Sequence, residues 1–223
     1  MWNTTDLQSQ IDSVLSTYPR LSMTESDSSY VRLTGAITVY RTAQGFTLNC
    51  DYDIQIIIPI GDTLPSVVDV GNAIDAQYPH IYSNRQLCLE TDATVYFRFI
   101  DGFDLLAWMD EFVEPYYFSY EFYRRYGYFP FGERNHGFIG ILQSYQDLFS
   151  EPDMKKTYWL TEYIAISNYR GHHLCPCGSG QKIRNCHGPI IMPYMLDIRK
   201  KNIVTQDYNI VKKELEYCIN NKQ

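Results

Sequence analysis

Between residues 175 and 187 the chain reads CPCGSGQKIRNCH, three cysteines and a histidine in one short span. Cys175 and Cys177 are separated by a single proline, and Cys186-His187 follow after eight intervening residues. Thiolate sulfur and imidazole nitrogen are donors that zinc takes four at a time in a tetrahedron, and a closed Cys3His set holds shape rather than performing chemistry. Gly178, Ser179 and Gly180 let the backbone turn tightly enough to bring both ends to one ion. Lys182 and Arg184 offset the charge of the thiolates. His172 and His173, just upstream, stand close enough to compete as ligands and read better as an exposed polar approach.

A second stretch, YPHIYSNRQLCL (78–89), places Cys88 near His80 on a segment without periodicity. A loop cysteine can, as thiolate, accept an acyl group from another thioester and surrender it to an amine or a second thiol. The attacked carbonyl develops negative charge, which one positioned N–H donor stabilises by about 3 kcal/mol. His80 can be that donor, and if protonated it would also favour the thiolate. The plainer alternative for Cys88, between Leu87 and Leu89, is a small packing residue. Cys50, in a strand pattern, and Cys218, at a helical apolar position, read as packing residues. Glu90 and Asp92 could accept a proton from an incoming amine but read better as solvated carboxylates. His136, in a glycine-flanked loop that could fold back near Cys88, reads better as a structural hydrogen-bonding group. There is no P-loop, dinucleotide fingerprint or HExxH helix.

The elements that must hold these residues follow from periodicity. Leu7, Ile11, Val14 and Leu15 make a helical stripe over 5–18, stopped by Pro19, and 22–30 is polar and loop-like. From 30 to 70 the texture is that of strands separated by Gly, Asp and Pro. Residues 71–93 read as a long structured loop and 94–100 as one more strand. Asp104 caps a helix carrying Leu105, Met109, Phe112 and Val113, ended by Pro115. Further helices are predicted over 116–126 (very aromatic, and read as core), from about 140 to 149, over 154–168 and over 205–218. Strands grouped first and helices after argue for an α+β domain with an antiparallel sheet.

A length of 223 residues allows one principal core and a small appendage. The net charge of −7 lacks a uniformly basic footprint, so no nucleic-acid partner is expected. No run of eighteen apolar residues occurs and no secretory pattern opens the chain, so no membrane span is expected. One metal site and three scattered thiols then suit a reducing cytoplasm.

Two resemblances extend this reading. Residues 175–188 resemble the SEC-C motif, first known at the end of the bacterial secretion motor ATPase. This resemblance implies a zinc held by Cys175, Cys177, Cys186 and His187 in a module attached to many unrelated domains. Residues 78–89 resemble the active-site signature of ubiquitin-conjugating enzymes, in which a His-Pro-Asn tripeptide precedes the catalytic cysteine. With Cys88 as that cysteine, His80 stands at the family's asparagine, Pro79 at its proline and Tyr78 at its histidine. The strands DIQIIIPI and PSVVDV look like the family's third and fourth.

The resemblance implies a UBC-like domain over 1–150, its antiparallel sheet flanked by helices. A helical region over 151–223 containing the zinc knuckle would follow. It implies a bacterial-type carrier of an acyl thioester on Cys88, with His80 replacing the usual oxyanion asparagine. Its partners would be an ATP-using activating enzyme and an acyl donor, either a ubiquitin-like protein or a cGAS-like nucleotidyltransferase of an antiphage system. The other class compatible with these residues is a non-catalytic binding module of the same fold that docks partners through its knuckle.

Overall fold

The computed structural model describes residues 4–221. In chain order the elements are α1 (Thr4–Thr17), β1 (Leu21–Ser26), β2 (Tyr30–Ala43), β3 (Phe46–Pro59), β4 (Ser66–Asp69), α2 (Asp92–Arg98), α3 (Leu105–Trp108) and α4 (Glu114–Tyr126). They continue with α5 (Gly137–Phe149), α6 (Met154–Ile166), α7 (Gly188–Leu196) and α8 (Ile198–Asn220). The chain folds as two compact units, one formed by the residues up to Glu90 with Asp101–Glu133, the other by Thr91–Ile100 with the residues from Arg134 on. The protein is α+β, with a four-stranded antiparallel sheet in the order β1-β2-β3-β4.

In the first unit β2 and β3 pair in unbroken register from Tyr30 opposite Pro59 to Ala43 opposite Phe46. Gln44 and Gly45 close that hairpin with φ of 49° and 72°, the doubly left-handed turn whose twist matches two antiparallel strands. Alternating Leu33, Ile37, Ile54, Ile56 and Ile58 are fully buried on one face. The helix α4 covers β2 and β3, with Tyr117 stacked on Tyr52 at 4.0 Å and Phe118 beside Phe46 at 5.5 Å. The amide of Gln10 clasps the start of α3 from α1, donating to Phe103 O and accepting from Leu105 N, both at 2.8 Å.

Two sequence expectations fail in this unit. Residues 22–26, read as loop, form the edge strand β1, where only Leu21 is buried and the rest are solvated. A strand with one neighbour and two wet faces carries no hydrophobic alternation to betray it. Pro115 does not end the helix. A five-residue π-helical turn, Met109–Val113, precedes it, and Pro115 then occupies the first turn of α4, where its missing N–H is harmless.

In the second unit α5, α6, α7 and α8 bury Tyr145, Phe149, Leu160, Ile164, Ile191, Met195 and Val204 against one another. The helix α5 therefore lies with this unit, and the units do not follow the division at residue 150 expected from the sequence. Residues 94–100, expected as a strand, belong mostly to the helix α2. A short apolar run has no decisive period. Here Ala93 joins the helical core while Phe97 meets Tyr194 edge-on at 5.1 Å. The side chains of Asp153 and Asp197 cap α6 and α8 by accepting hydrogen bonds from backbone N–H groups of their first turns. Among the described residues no helix is long and apolar enough to cross a membrane.

Candidate functional site

The segment 174–188 of the second unit folds back on itself to gather Cys175, Cys177, Cys186 and His187. Leu174 and Lys182 form an isolated antiparallel bridge, and Cys175 N donates to Gln181 O at 2.8 Å. The reversal between them needs left-handed backbone at Gly178 and Gly180, with φ of 76° and 74°. A 3-10 turn, Ile183–Asn185, then delivers Cys186 and His187 to the start of α7. Gly188 leaves no room for a side chain, since a Cβ there would sit 2.5 Å from Ile183 O.

One donor atom from each of the four residues lies within 4.8 Å of every other. The sulfur of Cys177 is 3.6 Å from that of Cys186, and His187 Nδ1 is 3.5 Å from Cys175 Sγ and 3.3 Å from Cys186 Sγ. A tetrahedron with zinc–sulfur bonds of about 2.3 Å has edges of about 3.8 Å, so these separations suit a four-coordinate ion with little rearrangement. The cluster could hold a metal ion.

Burial pushes the Cys175 thiol up to about 12. Burial acts the same way on Cys177, but hydrogen bonds from the Ser179 hydroxyl and backbone N–H, together with the neighbouring sulfurs, bring it down to about 6. These opposite directions make Cys177 the readiest of the set to ionise, and a cation would displace the remaining protons. Cys175, Cys177 and Ile183 also belong to the apolar core of the second unit, so the cluster is built into it. His172 and His173 are exposed and outside the cluster.

The second candidate lies in the first unit, on the irregular segment that follows β4. Cys88 is half-buried there, its backbone N donating to His80 O at 2.9 Å, and a ring nitrogen of His80 lies within 4.8 Å of its sulfur. The phenol of Tyr82, 52% exposed, donates to Cys88 Sγ at 3.6 Å. His80 O also accepts from Tyr116 Oη at 2.8 Å, and His80 Nε2 stands 3.9 Å from Glu133. Tyr78 is buried against Tyr116, Tyr120 and Tyr123 and serves packing.

What holds this segment was not read from the sequence. Asp69, the last residue of β4, has a fully buried side chain that accepts from Ala73 N and Ile74 N and pairs with the Arg85 guanidinium. Arg85 donates further to Ile74 O at 2.6 Å. The only sequence signal was an acidic residue at a strand end, with an arginine sixteen positions on. Val68 opposite Gln86 and Ile81 opposite Leu87 add isolated bridges.

Cys50, read as a packing residue, is exposed, and Cys218 is half-buried. Cys50 shares the parity of the buried Leu48 and Tyr52 yet lies exposed between them. His136 is exposed at the N-terminal boundary of α5 in the second unit, and Glu90 is half-buried in the first.

No family model, no curated protein and no solved structure matches the chain.

Proposed function

We propose that the first unit is a ubiquitin-conjugating-enzyme-like carrier that holds an acyl group as a thioester on Cys88, and that the second carries a structural zinc in a knuckle of the SEC-C type. The observation that carries the catalytic reading is the placement of Cys88. It stands half-buried on an irregular segment directly after a helix and a four-stranded antiparallel meander, with His80 nitrogen within 4.8 Å. That order is the one the resemblance implies.

In this reading the Cys88 thiolate attacks the carbonyl of a donor thioester. The donor's carbon–sulfur bond breaks, its sulfur leaves as thiolate, and the acyl group remains on Cys88. An acceptor amine then attacks that carbonyl, the Cys88 thiolate departs and the amine's proton passes to solvent. His80 donates to the oxyanion of the second step. The donor would be a ubiquitin-like protein or a cGAS-like nucleotidyltransferase, loaded by an ATP-using activating enzyme in a bacterial cytoplasm, with antiphage defence as the setting.

Reconstitution with the activating enzyme and donor from neighbouring genes tests this on gels run with and without thiol. Wild type should form an adduct cleaved by thiol, and Cys88→Ser an ester that resists it. His80→Ala should spare loading and slow discharge by about 100-fold. A thiol-cleavable adduct on the Cys88→Ser protein would place the nucleophile elsewhere.

The second reading, a binding module, draws on the surface beside the knuckle. A cavity of about 470 Å³ lies between Trp159, Tyr163 and Ile166 of α6 and Pro176 of the knuckle. Leu174 is 69% exposed. Failure of wild type to load with its own partners would favour this reading.

A further inference from the structure

The imidazole of His187 has unlike neighbours at its two nitrogens. Nδ1 faces the sulfurs of Cys175 and Cys186 at 3.5 and 3.3 Å. Nε2 faces Glu151, whose Oε2 is 3.4 Å away. Glu151 is only 8% exposed, an uncommon place for a carboxylate without a partner.

The surroundings of Glu151 fix where its carboxylate sits. It lies in the turn between α5 and α6, after Ser150 in the left-handed conformation and before the capping residue Asp153. Its backbone N donates to Gln146 O at 3.0 Å, and its carbonyl accepts from the hydroxyl of the buried Thr157 at 3.1 Å. The second carboxylate oxygen, Oε1, accepts from Asp153 N at 3.1 Å. Oε2 is left facing the imidazole.

A neutral imidazole carries one proton on one of two nitrogens, and the partner of the protonated nitrogen decides which lone pair is offered to a metal. A buried carboxylate at Nε2 favours the proton there and leaves the Nδ1 lone pair on the side of the Cys175 and Cys186 sulfurs. We infer that Glu151 is a positioning residue of the metal centre: it holds the Nε2 proton of His187, presents Nδ1 to the ion, and ties the knuckle to the α5–α6 turn. This rests on the metal reading above and adds a residue twenty-four positions before the first ligand.

The full chain is purified as wild type and as Glu151→Gln, which keeps an oxygen for Asp153 N–H but loses the charge. Zinc affinity is measured by competition with a chromogenic chelator, and melting is followed by circular dichroism with zinc and with chelator. Glu151→Gln is expected to bind zinc about 10- to 100-fold more weakly. Its melting should match that of wild type in chelator and fall below it in zinc. Long-range proton–nitrogen spectra of zinc-loaded wild type should show His187 protonated at Nε2.

If wild type binds no zinc, the metal reading falls and the role of Glu151 with it. Should wild type bind while Glu151→Gln binds equally well, the role alone is overturned. Equal loss of stability in zinc and in chelator would make Glu151 a residue of the helix turn only. A His187 proton on Nδ1 would overturn the proposal even if the variant failed to fold.

Discussion

The carboxylate of Asp69, fully buried at the end of β4, is paired with the guanidinium of Arg85, and the segment bearing His80 and Cys88 is drawn in around that pair. The same carboxylate accepts from the backbone at Ala73 and Ile74. One charge thus organises the start and the end of a stretch that has no regular structure of its own.

Removing one partner of such a pair leaves an uncompensated buried charge. Arg85→Ala should cost about 3–5 kcal/mol in urea unfolding, far above a surface substitution. Arg85 also sits at φ 68°. Arg85→Gly, which loses the charge but relaxes that backbone, should be milder by about 1 kcal/mol. Asp69→Asn combined with Arg85→Ala should recover part of the loss. Equal stability of wild type and Arg85→Ala would show that the pair does not hold the segment.

Gly188 reverses the ordinary helix preference. Alanine in place of glycine inside a helix normally stabilises by about 1 kcal/mol. Here a Cβ would meet Ile183 O at 2.5 Å and the Tyr169 hydroxyl at 2.8 Å. Gly188→Ala should therefore destabilise the second unit by about 1–3 kcal/mol and, on the zinc reading proposed above, weaken retention of the ion, read by melting and by elemental analysis. A stabilised variant would contradict the tight approach of 183 and 188.

Asp207 supplies a pH signature. Burial raises its carboxyl to about 6, against the hydrogen bond it accepts from Tyr145 at 2.9 Å, which acts the other way, while the nearby Asp92 adds to the rise. A carboxyl raised in the folded state binds its proton more tightly there than in the unfolded chain. Its contribution is fully favourable below an unfolded value of about 4 and is lost as the pH rises through about 6. Asp207→Asn keeps an oxygen for Tyr145 and should stabilise by about 1 kcal/mol at pH 7, with the gain gone by pH 4. Denaturant titrations at both values give the comparison, and a gain that persists at pH 4 would refute this account.

The thiols should separate by chemistry. In zinc-loaded protein a thiol reagent should modify exposed Cys50 first and the half-buried Cys88 and Cys218 more slowly. Cys175, Cys177 and Cys186 should react only after a chelator is added. Peptide mapping after timed labelling distinguishes the sites, and early modification of the three cluster cysteines would argue against a bound ion.

What the sequence determined by itself was whatever is written in local spacing. Cys175, Cys177, Cys186 and His187, with their two glycines, lie within thirteen residues, and a loop that short brings its ends close together. The β2–β3 hairpin and α1 were legible for the same reason, since strong periodicity survives without knowledge of the neighbours.

Tertiary structure alone decided the rest. Only the packing of Phe97 and Ala93 makes 92–98 a helix, only a lone neighbour makes the polar 21–26 an edge strand, and only a π turn lets the chain run helically past Pro115. The partners that position each candidate site, Arg85 with Asp69 and Glu151 with His187, stand sixteen and thirty-six residues apart. Buried charges find one another through the fold, and no local period in the chain records which carboxylate will meet which base.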